Sequence, residues 1–235
     1  MRDQAKPQLL IPRPRAQAEA FAAALEAAAP GLCAAIIAPV FRIAYLSPPL
    51  ELEGVSDLVF TSANGVEGFA RLSPRRDLVA HVVGDATADK ARALGFRVET
   101  IAADVADLIP RLPGEGRRLL YARGLFVSAD LGGEETLGRR LTEAVVYEQA
   151  ETALPGDVSA DLLAGRIAGV VVMSPRTARR LFVELGRAPV PDAVKLFCLS
   201  SAVAAACSDL RGFPLISRTP DAAGLIDLIS ASFRR

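Results

Sequence analysis

The sequence predicts an α/β fold of two similar lobes, each with a parallel sheet flanked by helices, joined by a two-strand hinge. Short apolar runs alternate with amphipathic stretches along nearly the whole chain. Most of those runs are continuously apolar, as strands covered on both faces are. One pattern also occurs twice. Leu58-Val59-Phe60-Thr61-Ser62-Ala63-Asn64 is followed by His81-Val82-Val83-Gly84-Asp85-Ala86-Thr87, with a stretch ending at Gly95. Val170-Val171-Val172-Met173-Ser174-Pro175-Arg176 is followed by Leu196-Phe197-Cys198-Leu199-Ser200-Ser201-Ala202, with a stretch ending at Gly212. A repeat of this size predicts two lobes with a cleft between them.

In chain order, residues 8–11 read as a strand, Pro12 and Pro14 as a loop, and residues 16–28 as an alanine-rich helix stopped by Pro30-Gly31. A strand at 33–40 continues into 41–46, and Pro48-Pro49 closes it. Strands are predicted at 57–60, 79–84, 96–101 and 118–122, with helices at 63–71, 87–94, 104–112 and 128–137. The last of these helices contains Gly132-Gly133, which costs about 1 kcal/mol per glycine. A strand at 143–149 precedes strands at 170–173, 195–199 and 214–217, which alternate with helices at 158–164, 175–186, 202–211 and 221–232. These strands are too many for one small sheet. The division that follows is a discontinuous domain of residues 1–38 plus 152–235, an inserted domain of residues 45–145, and linker strands at 39–44 and 145–151.

Composition narrows the function classes. The chain has 27 basic and 27 acidic residues and no formal net charge, so no global field attracts nucleic acid or an anionic membrane. An anionic ligand must be held by local groups. Cys33, Cys198 and Cys207 have no metal-ligand spacing. Cys33 and Cys198 sit in apolar runs and read as buried small hydrophobes in a reducing compartment. No apolar run approaches the roughly 20 residues of a membrane span, residues 1–8 do not read as a signal peptide, and the expected location is the cytoplasm.

Local anion binders are present at the strand-to-helix junctions. The first turn of a helix has backbone N–H groups without intrahelical partners, and these receive anions. Thr61, Ser62, Thr87, Ser174, Ser200 and Ser201 add hydroxyls there, and Asn64 adds an amide. Ser62 and Ser174 also read simply as N-caps, with Pro175 at the first helical position, and a cap at a cleft still presents free donors. Arg13, Arg123 and Arg176 follow predicted strands, where a guanidinium can grip a carboxylate with two parallel hydrogen bonds. For Arg176 an exposed loop arginine is an equal alternative. Arg139-Arg140 and Arg179-Arg180 read as solvated charges, His81 as a histidine at a strand end, exposed or partly buried, and Asp85 and Asp130 as helix caps.

An ordered set of motifs resembles the uroporphyrinogen-III synthase family over nearly the whole chain. The motifs are Leu10-Ile11-Pro12-Arg13-Pro14, Phe60-Thr61-Ser62-Ala63-Asn64-Gly65-Val66, Val83-Gly84-Asp85-Ala86-Thr87-Ala88, Leu120-Tyr121-Ala122-Arg123-Gly124, Val145-Val146-Tyr147, Met173-Ser174-Pro175 and Cys198-Leu199-Ser200. The chain departs from the family at Ile11-Pro12, where Thr is usual before Arg-Pro, and at Ser200-Ser201-Ala202-Val203, where Gly and Thr are usual.

The resemblance implies cyclisation of the linear tetrapyrrole hydroxymethylbilane, with inversion of the last pyrrole, to uroporphyrinogen III and water. It implies no organic cofactor and no metal, a monomer, no nucleic-acid or membrane partner, and possible hand-over of substrate from hydroxymethylbilane synthase. It carries substrate binding to Arg13, Thr61, Ser62, Asn64, Gly84, Thr87, Arg123, Ser174, Ser200 and Ser201. Tyr147 matches the family tyrosine on the hinge strand and becomes the candidate general acid for loss of the substrate hydroxyl. A half-buried structural tyrosine is the other reading of Tyr147. A non-catalytic two-lobed ligand-binding module is the competing reading of the whole chain.

Overall fold

The computed structural model describes residues 6–114, 116–126, 131 and 140–234. The helix expected at 128–137 and the readings of Asp130 and Arg139 fall outside the described residues, as does the side chain of Arg140. The chain divides into two compact units, Met1–Arg42 with Glu151–Arg235, and Ile43–Ala150.

The first unit holds β1 (Gln8–Ile11), α1 (Arg15–Ala28), β2 (Ala34–Ile37), α5 (Gly156–Leu163), β9 (Gly169–Val172), α6 (Pro175–Glu184), β10 (Val190–Cys198), α7 (Ser201–Ala206), β11 (Arg211–Ile216) and α8 (Ala222–Phe233). Its five strands lie in the order β11-β10-β9-β1-β2, every pair parallel. One face buries Leu10, Val170, Val172, Leu181 and Leu196 under α5, α6 and α7. The other buries Leu9, Ile11, Phe21, Val171, Phe197 and Leu225 under α1 and α8. β9 is buried along its whole length, the signature of a central parallel strand.

The second unit holds β4 (Val55–Phe60), α2 (Ala63–Leu72), β5 (Val79–Val83), α3 (Asp85–Ala93), β6 (Arg97–Ala102), α4 (Val105–Leu108) and β7 (Arg118–Gly124). β3 (Phe41–Tyr45) and β8 (Arg140–Glu151) carry the chain across the boundary between units and lie side by side in the second sheet. The order there is β3-β8-β7-β4-β5-β6, and the four pairs from β8 to β6 are parallel. Phe60, Phe69 and Phe96 form an aromatic cluster beneath α2 and α3. Val59, Leu108, Leu119 and Tyr121 fill the other face.

The two sheets are permuted copies. In the first unit β1 and β2 come before β9, β10 and β11. In the second, β7 and β8 come after β4, β5 and β6, yet they take the matching places. The strand order of each sheet therefore reverses once, between β1 and β9 and between β7 and β4.

Several elements differ from their sequence reading for local reasons. The helix expected at 104–112 is α Val105–Leu108 and then a 3-10 turn at Ile109–Arg111, because Pro110 has no N–H for an α-helical bond. The helix expected at 202–211 ends at Ala206. Cys207 turns inward to place its Sγ 3.9 Å from Cys198 Sγ, and Arg211 takes a φ of 57° as β11 begins. Cys198 is buried as expected, whereas Cys33 is only half-buried.

Asp85 is no cap. It is the first helical residue of α3, and Gly84 holds the cap position with a φ of 78°, a left-handed conformation that suits glycine. His81 is not at a strand end but in the middle of β5, 1 % exposed. Its Nδ1 lies 2.9 Å from Thr100 Oγ1 and its Nε2 3.1 Å from Asp57 Oδ1. Asp57 is fully buried and accepts two hydrogen bonds from Arg117, at 2.6 and 2.7 Å. Burial pushes the Asp57 carboxyl up, but hydrogen bonds from Arg117, Ser56 and His81 together hold it below the usual carboxylate range.

Candidate active site

In open parallel sheets, ligands bind beyond the carboxyl ends of the strands where the order reverses. In the second unit that point lies between β4 and β7. β4 ends at Phe60, and Thr61 and Ser62 follow at once. Ser62 is extended (φ −158°, ψ 149°) and caps α2, its Oγ accepting from Gly65 N at 3.1 Å. The same Oγ lies 2.9 Å from the hydroxyl of Tyr147 on β8. Thr61 Oγ1 lies 2.8 Å from the hydroxyl of Tyr121 on β7. Burial pushes the Tyr121 phenol up. Two tyrosines on neighbouring strands thus reach the two hydroxyls at the end of β4, and Asn64 is half-buried in the first turn of α2.

Glycines permit this closeness. A methyl group at Gly65 would stand 2.5 Å from the carbonyl oxygen of Ala122, and one at Gly68 would stand 2.6 Å from Val146 Cγ2, so α2 rests directly on β7 and β8. At Gly124 an added Cβ would be 2.7 Å from Tyr147 Cζ and 2.9 Å from its hydroxyl oxygen. The ring of Tyr147 therefore lies over bare backbone opposite it in register.

Arg123 is committed to neighbours. Its Nε donates to Glu143 at 2.7 Å and its Nη1 to the carbonyl of Gly124 at 3.0 Å. Gly84 has open space where a Cβ would be. Thr87, in the first turn of α3, is only 5 % exposed.

In the first unit the reversal lies between β1 and β9. Arg13 follows β1 and Ser174 follows β9. Arg13 is half-buried and donates to the neutral amide of Gln17 at 3.2 Å, and burial lowers its guanidinium from the usual value. It makes no ion pair among the described residues, so this partly desolvated cation is suited to an incoming carboxylate. Ser174 reproduces Ser62: φ −151°, ψ 149°, Oγ accepting from Thr177 N at 3.1 Å, with Pro175 next. Thr177 Oγ1 lies 2.9 Å from it. Ser200 caps α7 more loosely, at 3.4 Å from Val203 N, and Ser201 is exposed. α7 has six residues, so its terminus is the weakest of the set.

Sequence reasoning missed Tyr121, Gly65, Gly68 and Gly124 as parts of this arrangement. The glycines three apart inside an otherwise good helix pattern were the available signal for close packing. Among the described residues, no group of three or more His, Cys, Asp or Glu is placed to hold a metal ion, and no helix is long and apolar enough to cross a membrane.

Each unit thus places hydroxyl, amide or guanidinium groups at the point where its parallel sheet reverses, the position at which α/β proteins of this class receive ligands. The chain matches the profile described as Uroporphyrinogen-III synthase HemD over residues 12–227. It belongs to that family. Among solved structures, it resembles uroporphyrinogen-III synthetase of Helicobacter pylori, with a TM-score of 0.67 and 15 % identity, covering 97 % of this chain and 99 % of that one. It also resembles a mutant uroporphyrinogen III synthase of Thermus thermophilus, with a TM-score of 0.55 and 17 % identity, covering 97 % and 98 %. At such identities the likeness is one of fold. No curated protein sequence is a significant match.

Proposed function

We infer that this protein cyclises hydroxymethylbilane to uroporphyrinogen III in haem biosynthesis, inverting the terminal ring and releasing one water. The family match across residues 12–227 is the observation that carries this reading. The substrate's hydroxymethyl group loses its hydroxyl, which leaves as water with a proton. The resulting azafulvene carbon is attacked by the already substituted α-carbon of the terminal pyrrole, giving a spiro intermediate. The bond from that α-carbon to its original methylene then breaks, the freed methylene bonds to the ring's unsubstituted α-carbon, and the proton on that carbon is lost as the macrocycle forms.

Much of this reactivity belongs to the substrate, which closes without inversion when left alone. The protein's task is then to hold the chain folded so that the inverting attack is faster. Arg13, Thr61, Ser62, Asn64, Gly84, Thr87, Ser174, Ser200 and Ser201 are the proposed anchors, through side chains and first-turn N–H groups. Each helix-terminus contact with an anion contributes roughly 0.3–1 kcal/mol. Arg123 is assigned chiefly to holding the end of β7, given its bond to Glu143. Tyr147 is the proposed acid at the leaving hydroxyl, and its contact with Ser62 Oγ supports a defined position for the phenol.

We propose further that the protein works as a monomer in the cytoplasm. The lability of its substrate favours direct hand-over from hydroxymethylbilane synthase. The deciding assay supplies freshly made hydroxymethylbilane and separates the product isomers. Type III above the enzyme-free control is expected. Only type I would leave a non-catalytic binding module in its place.

A further inference from the structure

Cys198 ends β10, and Cys207 directly follows the last residue of α7. Both are buried in the same core, and their sulfurs lie 3.9 Å apart. Cys33 packs on the opposite face of the sheet, so it is no partner for either. The two thiols are not equivalent. A hydrogen bond from Cys198 holds the Cys207 thiol below its usual value, and the same contact, with burial, pushes Cys198 up. One sulfur is thus the readier thiolate while its neighbour keeps its proton.

Cys207 is only thinly covered. The next two residues, Ser208 and Asp209, are exposed. α7 has six residues and a loose cap, 3.4 Å from Ser200 Oγ to Val203 N. A helix this short opens locally at low cost, which admits a small oxidant. The sulfurs are about 2 Å farther apart than a disulfide requires, a gap that side-chain rotation and a small shift of α7 close.

We propose that Cys198 and Cys207 form a reversible disulfide site, closed by a peroxide and reopened by a dithiol, and that the closed bridge restrains α7. The Cys207 thiolate attacks one peroxide oxygen, the O–O bond breaks, and hydroxide leaves to become water with the proton that Cys207 gave up. Cys198 then attacks the sulfur of the resulting sulfenic acid, the S–O bond breaks, and the hydroxyl leaves as a second water with the Cys198 proton. The two thiols lose two electrons and the peroxide gains them. In a reducing compartment the site stays open until such an oxidant arrives. Residues 199–206 lie inside the closed loop, Ser200 and Ser201 among them. This consequence rests on the proposed function: anchors fixed against β10 adjust less to an incoming carboxylate, so substrate binding weakens.

The test treats the reduced protein with hydrogen peroxide, removes the peroxide, and alkylates one portion in denaturant for mass analysis. Cleavage after Lys195 and Arg211 releases one peptide, residues 196–211, that holds both cysteines. It is expected about 2 Da light and unalkylated, with both thiols restored by dithiothreitol. Two free thiols, or oxygen addition without the cross-link, would overturn the site. The other portion is assayed for type III formation. Bridged wild type is expected to raise KM about threefold, with kcat within about twofold, and dithiothreitol should reverse the change. C207A should show no such response, and C198A serves as the control if C207A does not fold. A bridge that leaves KM unchanged would overturn the restraint on substrate binding. A reduced wild type that makes only type I product would instead overturn the activity, and the peptide mass would still judge the bridge.

Discussion

At the scale of single residues, the contact between Tyr147 and Ser62 is the most consequential feature. One oxygen of Ser62 caps a helix and also meets a phenol from a strand 85 positions along the chain. Replacing Tyr147 by Phe keeps the ring over Gly124 and removes only the hydroxyl proposed as the acid. The expected result is a fall in kcat of about 100-fold, the lower range for general acid catalysis, with little change in KM. Ser62→Ala should cost less, about tenfold, and the double variant should be no slower than Tyr147→Phe alone. Single-turnover measurements of the three variants decide this, and a double variant whose losses multiply would assign Ser62 and Tyr147 to independent tasks. Both residues were legible in the sequence as a junction hydroxyl and a hinge-strand tyrosine. Their pairing was not, because it depends on the register of β7 against β8 and on the missing side chain at Gly124.

At the scale of elements, the N-caps carry measurable stability. Ser174→Ala removes the acceptor for Thr177 N and should lower the unfolding free energy by about 1 kcal/mol, seen as a lower urea midpoint at unchanged slope. No fall in midpoint would show that water replaces the cap without loss. Ser-Pro after an apolar run made this start readable from sequence. Helix ends were less readable. The small residues after Ser201 favour a helix past residue 206, but the buried approach of Cys207 to Cys198 stops it, and no local pattern announces a contact of that kind. Arg123 shows the same dependence on a distant neighbour. A position at the end of a strand suggested a ligand-facing cation, and the neighbouring strand supplies Glu143 to hold it.

At the scale of the whole molecule, the repeat was readable and the strand order was not, since order is decided by which distant strands meet. The Asp57–His81–Arg117 network illustrates the cost of that blindness. A histidine flanked by apolar residues suggested a strand end, yet three strands bring Asp57, His81 and Thr100 together in the interior. The folded carboxyl of Asp57 lies below its unfolded value of about 3.9. It therefore adds stability above that value, and the contribution is lost as pH falls through the folded pKa. Asp57→Asn should destabilise the protein by about 2–3 kcal/mol at pH 7, less than the roughly 3–5 kcal/mol for breaking a fully buried pair because Arg117 is partly exposed. The difference from wild type should shrink as pH falls below about 4. Urea titrations at several pH values test it, and parallel curves for the two proteins would contradict it.

The permuted order of the two sheets also bears on synthesis. Ile43–Ala150 is one continuous segment, and all its parallel partners emerge before residue 151. β1 and β2 leave the ribosome first, yet β1's other neighbour, β9, begins at Gly169. The earliest strands must wait, paired only with each other, until most of the chain has been made, while the later-starting segment can already close its own core. Chaperone demand during translation should therefore fall on the pair β1 and β2, and a nascent chain stalled just after residue 151 has cleared the ribosome should protect residues 43–150 from protease before β1 and β2.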